Sequence, residues 1–322
     1  MNSRFRTIAA VALIAAMPLS AAAQGSYPTK PIRFIVGAAP GGANDIMART
    51  IAGGMNLGQP VVVENQAGAA ATISAATVAK APPDGYTLLL VSQSVLTVAP
   101  ILNKITTFDS MKDFTGVALF GSAPLILVVH PSNPAKSVQD IVAMAKAKPG
   151  ELTFGSGGIG TTPFMAGTLL GLMTGTRYTS VPFKGEQPSM TEIMGGRLTM
   201  MFGNAAAALP HMKSGRLKGL AITSPTRVSI APGMPTVAES GIPGFEIATW
   251  LGMVAPTGTP PAVVSRLNTE VQQVLQKADV KERLHGMGFT LSSFSPEEFT
   301  KFIRAEHQKW SKVIQDANIK AD

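Results

Sequence analysis

The sequence predicts an α/β fold of two lobes joined by two crossings of the chain. Three observations point there. Short apolar runs rich in β-branched residues alternate with helical segments, the pattern of buried, mainly parallel sheets covered by helices. The chain, at 322 residues, is long for a single hydrophobic core. Two stretches, Ala118–His130 and Phe245–Gly252, read as connections between halves, so the chain leaves the first lobe, builds the second and returns. A two-strand hinge of this kind suits closure around a ligand.

Taken in order, the chain opens with a segment outside the fold. Arg4 and Arg6 make a charged start, Ile8 to Leu19 an apolar run, and Ala21-Ala22-Ala23 a small-residue cleavage site. This is a secretory signal peptide, too short and wrongly flanked for a membrane span, with cleavage expected after Ala23. The expected destination is the periplasm. There is no cysteine, hence no disulfide framework and no lipid-modified cysteine anchor. The net charge of +8 falls to +6 without the leader's two arginines, and the basic residues are scattered, which argues against a nucleic-acid partner. No later window is apolar enough for a transmembrane helix. A monomer is expected.

Strands are expected at Ile32–Val36, Val61–Glu64, Thr87–Val91, Leu125–His130, Leu152–Phe154, Tyr178–Pro182, Leu198–Phe202 and Leu217–Thr223. Helices are expected at Asp45–Leu57, Ala70–Lys80, Ser137–Lys148 with Ser137 as N-cap, Pro163–Thr174, Gln187–Gly195 and Ala205–Gly215. The first lobe is expected to hold residues 24–124 and the second 125–247. Residues 248–322 return to the first lobe and end in an amphipathic helix from Pro296 to Ala317, packed across the outside.

Two loops carry the chemistry. Gly37–Asp45 follows a strand and opens a helix; Gly155–Thr162 repeats the device. Such turns present free backbone N–H groups and the positive end of a helix dipole to an anion, and glycine lets a ligand approach the main chain. Candidate ligand contacts are Ala39, Gly41, Gly42 and Asn44 in one loop and Gly160, Thr161 and Thr162 in the other. A carboxylate suits these donors. Each loop alone is also an ordinary strand-to-helix connection, so the pair, one per lobe, carries the reading. Gln93, Ser94, Lys184 and Asn204 are further candidates because they follow strands, where ligand contacts gather. Asp45 is a candidate contact with helix capping as the competing role, and Trp250 either a core aromatic or a lid.

Other chemistries fit poorly. Gly155-x-Gly157-x-x-Gly160 spells a dinucleotide fingerprint, but the next strand ends at Val181-Pro182-Phe183-Lys184 without the acidic residue that would hold a ribose. Ser156 is one residue out of step with a nucleophile elbow. His130, His211, His285 and His307 lack ligand spacing. No cofactor, metal or catalytic residue is expected, although a hydrolase site assembled from distant residues would escape this reading.

The motifs resemble those of the Bug family, the periplasmic solute-binding proteins of tripartite tricarboxylate transporters. They are Tyr27-Pro28-x-x-Pro31-Ile32, Ala39-Pro40-Gly41-Gly42-x-x-Asp45 and Gly58-Gln59-Pro60-Val61-Val62-Val63-Glu64-Asn65. Further along come Pro83-Asp84-Gly85-Tyr86-Thr87, Gly160-Thr161-Thr162, Val181-Pro182-Phe183-Lys184-Gly185 and Pro235-Thr236-Val237-Ala238-Glu239. Trp250-x-Gly252 and Ala255-Pro256-x-Gly258-Thr259-Pro260 complete the set. The resemblance implies a type II periplasmic-binding-protein fold with Venus-flytrap closure. It also implies capture of a small organic acid and its delivery to a membrane permease; a report of the ligand to a membrane sensor is the alternative expectation. Ligand carboxylates would be held at the two loops, on Gly41, Gly42, Asn44, Asp45, Gly160, Thr161 and Thr162. Asn44, Phe164 and Phe183 depart from the family pattern, and Val95, Phe164 and Phe183 suggest a more apolar pocket, for an aromatic or longer aliphatic mono-, di- or tricarboxylate.

Overall fold

The computed structural model describes residues 27–68, 71–105 and 107–320; the expected signal peptide and Ala70 lie outside them. The first third alternates β1 (Ile32–Val36), α1 (Ala43–Gly54), β2 (Val61–Asn65), α2 (Thr72–Ala79) and β3 (Thr87–Ser92). A π-helical turn (Ser94–Val98) and α3 (Ala99–Leu102) lead into β4 (Phe114–Val129). Next come α4 (Val138–Ala147), β5 (Thr153–Ser156), α5 (Thr162–Thr174), β6 (Thr179–Pro182), α6 (Glu186–Met194), β7 (Met200–Asn204), α7 (Ala205–Lys213) and β8 (Lys218–Ile222). The chain closes with β9 (Ala248–Pro256), α8 (Pro261–Gln276), α9 (Ala278–Gly286), β10 (Thr290–Leu291) and α10 (Pro296–Asp316).

The strands form two sheets, in the order β2-β1-β3-β9-β4 and β4-β7-β5-β6, with β10 and β8 also on β4. Four pairings are parallel, and the five antiparallel ones all involve β4 or β9. The expected parallel sheets therefore exist inside each lobe, while the strands that cross between lobes run against them. β4 is the longer crossing. Phe114 to Pro124 pair with β9 in the first sheet, and Leu125 to Val129 pair with β7 and β8 in the second. The sequence expectation began this strand at Leu125. Its earlier half is one continuous strand broken by irregularities at Gly116/Ala118 and Leu119/Gly121, and bulges of this kind blur the apolar alternation.

Both faces of each sheet are buried, as parallel strands require. Phe34, Leu88 and Leu90 pack with α1 and α8 residues on one face of the first sheet, and Ile35, Leu89 and Val91 on the other. Along β4, Leu125, Leu127 and Val129 face one core of the second sheet while Ile126 and Val128 face the other. Each fully buried side chain of this size contributes about 1.5–3 kcal/mol. The capping expectation at Ser137 holds, since its hydroxyl accepts from the Asp140 N–H at 3.2 Å. No helix among the described residues is long and apolar enough to cross a membrane.

Two devices tie the lobes together. Thr223, fully buried, accepts from the Leu125 N–H at 2.8 Å and donates its hydroxyl to the Ile247 carbonyl at 2.6 Å, knitting both crossings into one joint. α10 is a third link. Its Phe299 and Ile303 enter a first-lobe core and its Trp310, Val313 and Ile314 a second-lobe core. Between them a single oxygen of Glu306 accepts from the indole N–H groups of Trp250, at 3.1 Å, and Trp310, at 3.0 Å. The helix expected on the outside is thus a strut across the joint, started by a complete capping box at Ser295 and Glu298.

Candidate functional site

Register places the site. Leu125 pairs with Asn204 at the end of β7, and Pro124 pairs with Ala248 at the start of β9. Ser92, ending β3, pairs with Leu251. The carboxyl ends of β1, β2 and β3 therefore approach the Pro124–Leu125 crossing from one side, and those of β5, β6 and β7 from the other. Ligand sites of α/β sheets form at such strand ends.

On the first-lobe side, Gly41 has a φ of +83°, which favours glycine. Asp45, 3% exposed, folds back onto this turn. Its Oδ2 accepts from the Gly41 N–H at 2.9 Å and from Arg49 Nε at 3.0 Å, and its Oδ1 from Asn65 Nδ2 at 2.9 Å. Asn65 also donates to the Ala38 carbonyl at 3.0 Å and accepts from Arg49 at 3.1 Å. Hydrogen bonds from Arg49, Gly41 and Asn65 lower the Asp45 pKa to about 2. Asp45 thus braces the loop with its charge already met. Gly42 is the N-cap of α1, and no side chain caps the helix, so its first N–H groups stay open to an acceptor. Ala39 and Gly42 are exposed and Asn44 half-buried around that opening.

On the second-lobe side the bracing is different. The Thr161 hydroxyl donates to the Gly158 carbonyl at 2.7 Å, and α5 starts after Thr161, again with no side-chain cap. Thr162 is buried at the first helical position. Gly160, with φ +77°, meets the first lobe: its carbonyl accepts from Ser94 Oγ at 3.2 Å. A Cβ there would lie 3.0 Å from Leu102 and 3.3 Å from Val98. Asn204 joins the same rim. Its backbone N–H reaches Glu186 Oε1 at 2.7 Å, its amide donates to Glu186 Oε2, and its Oδ1 accepts from Thr249 at 3.3 Å. Lys184 is exposed, without an ion pair among the described residues, and Phe183 is half-buried beside them.

Three expected contacts go elsewhere. Trp250 is 1% exposed, packed edge-on against Phe299 and Phe302, with its N–H on Glu306; it is a core aromatic rather than a lid. Phe164 is buried with its ring 6.1 Å from that of Phe154, and Val95 belongs to a first-lobe core. Of the three residues behind the suggested apolar pocket, Val95 and Phe164 are buried and Phe183 is half-buried. Sequence reading missed Glu186 and Thr249, which act through Asn204; a carboxylate just past Lys184-Gly185 gave the one available signal. Ser156, the serine a hydrolase would use, is fully buried with only Gly158 backbone atoms at 3.4 Å around its hydroxyl. No cluster of metal-binding side chains occurs among the described residues.

Comparison with known proteins identifies the kind of molecule that carries these two turns. The model of the tripartite tricarboxylate transporter family receptor, TctC, matches residues 47–319. The chain belongs to this family. Among TctC-family relatives, protein BugT of Bordetella pertussis is 37% identical over 308 residues, covering 95% of this chain and 94% of that protein. Two solved relatives come from Rhodopseudomonas palustris. Rpa4515, with adipate, is 33% identical with a TM-score of 0.77, covering 91% of this chain and 99% of that one. MatC, with bound malate, is 30% identical with a TM-score of 0.75, covering 89% and 100%. The fold is accordingly the two-lobed periplasmic-binding-protein architecture, and the family is one of receptors rather than enzymes.

Proposed function

We propose that this receptor captures a small organic carboxylate between its two lobes and delivers it to the membrane permease of a tripartite tricarboxylate transporter. The observation that carries the reading is the pair of glycine turns that open α1 and α5 at the carboxyl ends of β1 and β5, next to the Pro124–Leu125 crossing. Open N–H groups and two positive dipole ends suit an anion, and exposed Lys184 adds a cation beside them. Asp45 does not oppose this, because its three donors satisfy its charge. Relatives with adipate and malate support the ligand class. The contacts proposed are Gly42, Asn44, Ser94, Thr161, Thr162, Lys184 and Asn204, with residues 24–124 and 248–256 closing onto 125–247. The leader ending at Ala23 would be removed on export, and the mature protein would act in the periplasm as a monomer.

Thermal-shift screening of the mature protein against mono-, di- and tricarboxylates tests this. A ligand at a hundred times its Kd adds about 2.7 kcal/mol of stability, a shift of several degrees. A well-folded protein unmoved by every acid in the panel would refute the carboxylate reading.

A further inference from the structure

Among the described residues, Gln93 is the only one that leaves a complete amide, donor and acceptor both, buried without a partner. The residue is 1% exposed. Its main chain is firmly placed, since its carbonyl accepts from the Thr97 hydroxyl at 2.7 Å. Its position matters as much as its burial. Ser92 is the last β3 residue paired with β9, so Gln93 is the first beyond the ladder, at the carboxyl end of β3. The next residue, Ser94, makes the contact with Gly160 across the lobes. Ser94 also begins a π-helical turn, a rare form that concentrates at functional sites. Folded proteins rarely leave a buried amide unpaired, because each orphaned group carries a desolvation cost.

We infer that Gln93 is a specificity-determining residue that reads a hydrogen-bonding group on the ligand. The inference rests on the carboxylate reading above and names its substrate class more closely. An amide offers two opposite faces: its NH2 donates to a carboxylate or hydroxyl oxygen, whereas its Oε1 repels a carboxylate and needs a donor. A plain hydrocarbon diacid satisfies only the first. A carboxylate bearing a hydroxyl, amino or amide group near one end satisfies both. A site built to bond such a group discriminates strongly against the analogue lacking it, because its own polar atoms are then left unpaired. The preferred ligands are therefore hydroxy- or amino-substituted acids.

The test pairs acids that differ in one hydroxyl, succinate with malate and glutarate with 2-hydroxyglutarate, by titration calorimetry on wild type and Gln93→Met. Methionine keeps the length and removes both polar atoms. Wild type is expected to bind the hydroxylated member about 10-fold or more tightly. In Q93M that preference collapses towards unity, while the ligand-free Tm stays level or rises because an unpaired buried amide has gone. A preference unchanged in Q93M overturns the inference and leaves the carboxylate reading standing. A fall of several degrees in ligand-free Tm, with both acids weakened equally, also overturns it, because the amide would then be structural. Wild type binding neither member of any pair, nor any acid of the wider panel, overturns both.

Discussion

The two loops look alike in sequence and are built on opposite principles. Gly37–Gly42 is held by ionised side chains, with Asp45 gathering Gly41, Arg49 and Asn65 around one carboxylate. Gly157–Thr161 is held by neutral groups, the Thr161 hydroxyl on Gly158 and the Ser94 hydroxyl on Gly160. The first loop is organised entirely within its own lobe, whereas the second takes part of its bracing from the other lobe. The charged network draws on α1 and β2 beside its own turn, and the neutral turn leans on the π-helical segment that follows β3.

The largest expected effect comes from removing the charge. Asp45→Ala strands the Gly41 N–H and two side-chain donors and should cost about 2–4 kcal/mol, read as a lowered midpoint in urea. No single change at Thr161 should match it; Thr161→Ala deletes one neutral hydrogen bond worth about 1 kcal/mol. An equal loss at both positions would erase the contrast between the loops.

The same contrast appears against pH. The Asp45 pKa is depressed from 3.8 to about 2 in the folded chain, so its stabilisation is present above the unfolded value and lost as pH falls through the folded one. It amounts to about 2 kcal/mol, lost between roughly pH 5 and pH 2. Wild type should therefore lose more stability over that window than Asp45→Ala by about this amount. The difference between the two matters because Glu64, Asp109 and Glu239 are also depressed and contribute to both. Parallel acid profiles would show that Asp45 is not the charged brace.

A smaller effect separates the two left-handed glycines. Alanine at either Gly41 or Gly160 pays the cost of that backbone conformation, about 1–2 kcal/mol. At Gly41 the new methyl meets nothing within 4 Å, but at Gly160 it presses on Leu102 and Val98, which pack with the second-lobe core. The ligand-induced rise in Tm should shrink more for Gly160→Ala than for Gly41→Ala. The smallest effect is expected for Ser94→Ala, which removes one half-buried hydrogen bond across the lobes. Ligand-free stability should stay within about 0.5 kcal/mol, with affinity down a few-fold.

Much of the fold was legible because its strands are continuous apolar runs and glycine turns separate them from the helices. β1 begins and ends where Ile32–Val36 predicts, and α7 begins at Ala205 as expected. α8 escaped because Pro260-Pro261 reads as a stop, while Pro261 in fact takes the first helical position, where a missing N–H costs nothing. Both loops were legible as glycine turns between strand and helix. The side-chain roles were not. Asp45 reads as a helix cap, but which donors reach it depends on Asn65, twenty residues on, and on the pairing of β1 with β2. Trp250 reads as a core aromatic with a lid as the competing role, and its place under α10 makes it core. Glu186 is hidden because it opens α6 while its partner, Asn204, lies eighteen residues on at the end of β7.

In the proposed complex one carboxylate is held at once by the start of α1 and the start of α5. Backbone amide NMR of the mature protein during titration with a stabilising acid tests it most directly. The N–H signals of Ala43 and Asn44 and those of Thr162 and Phe164 should move together, saturating with one Kd. Shifts confined to one loop, or gathered elsewhere while the acid still stabilises the fold, would contradict it.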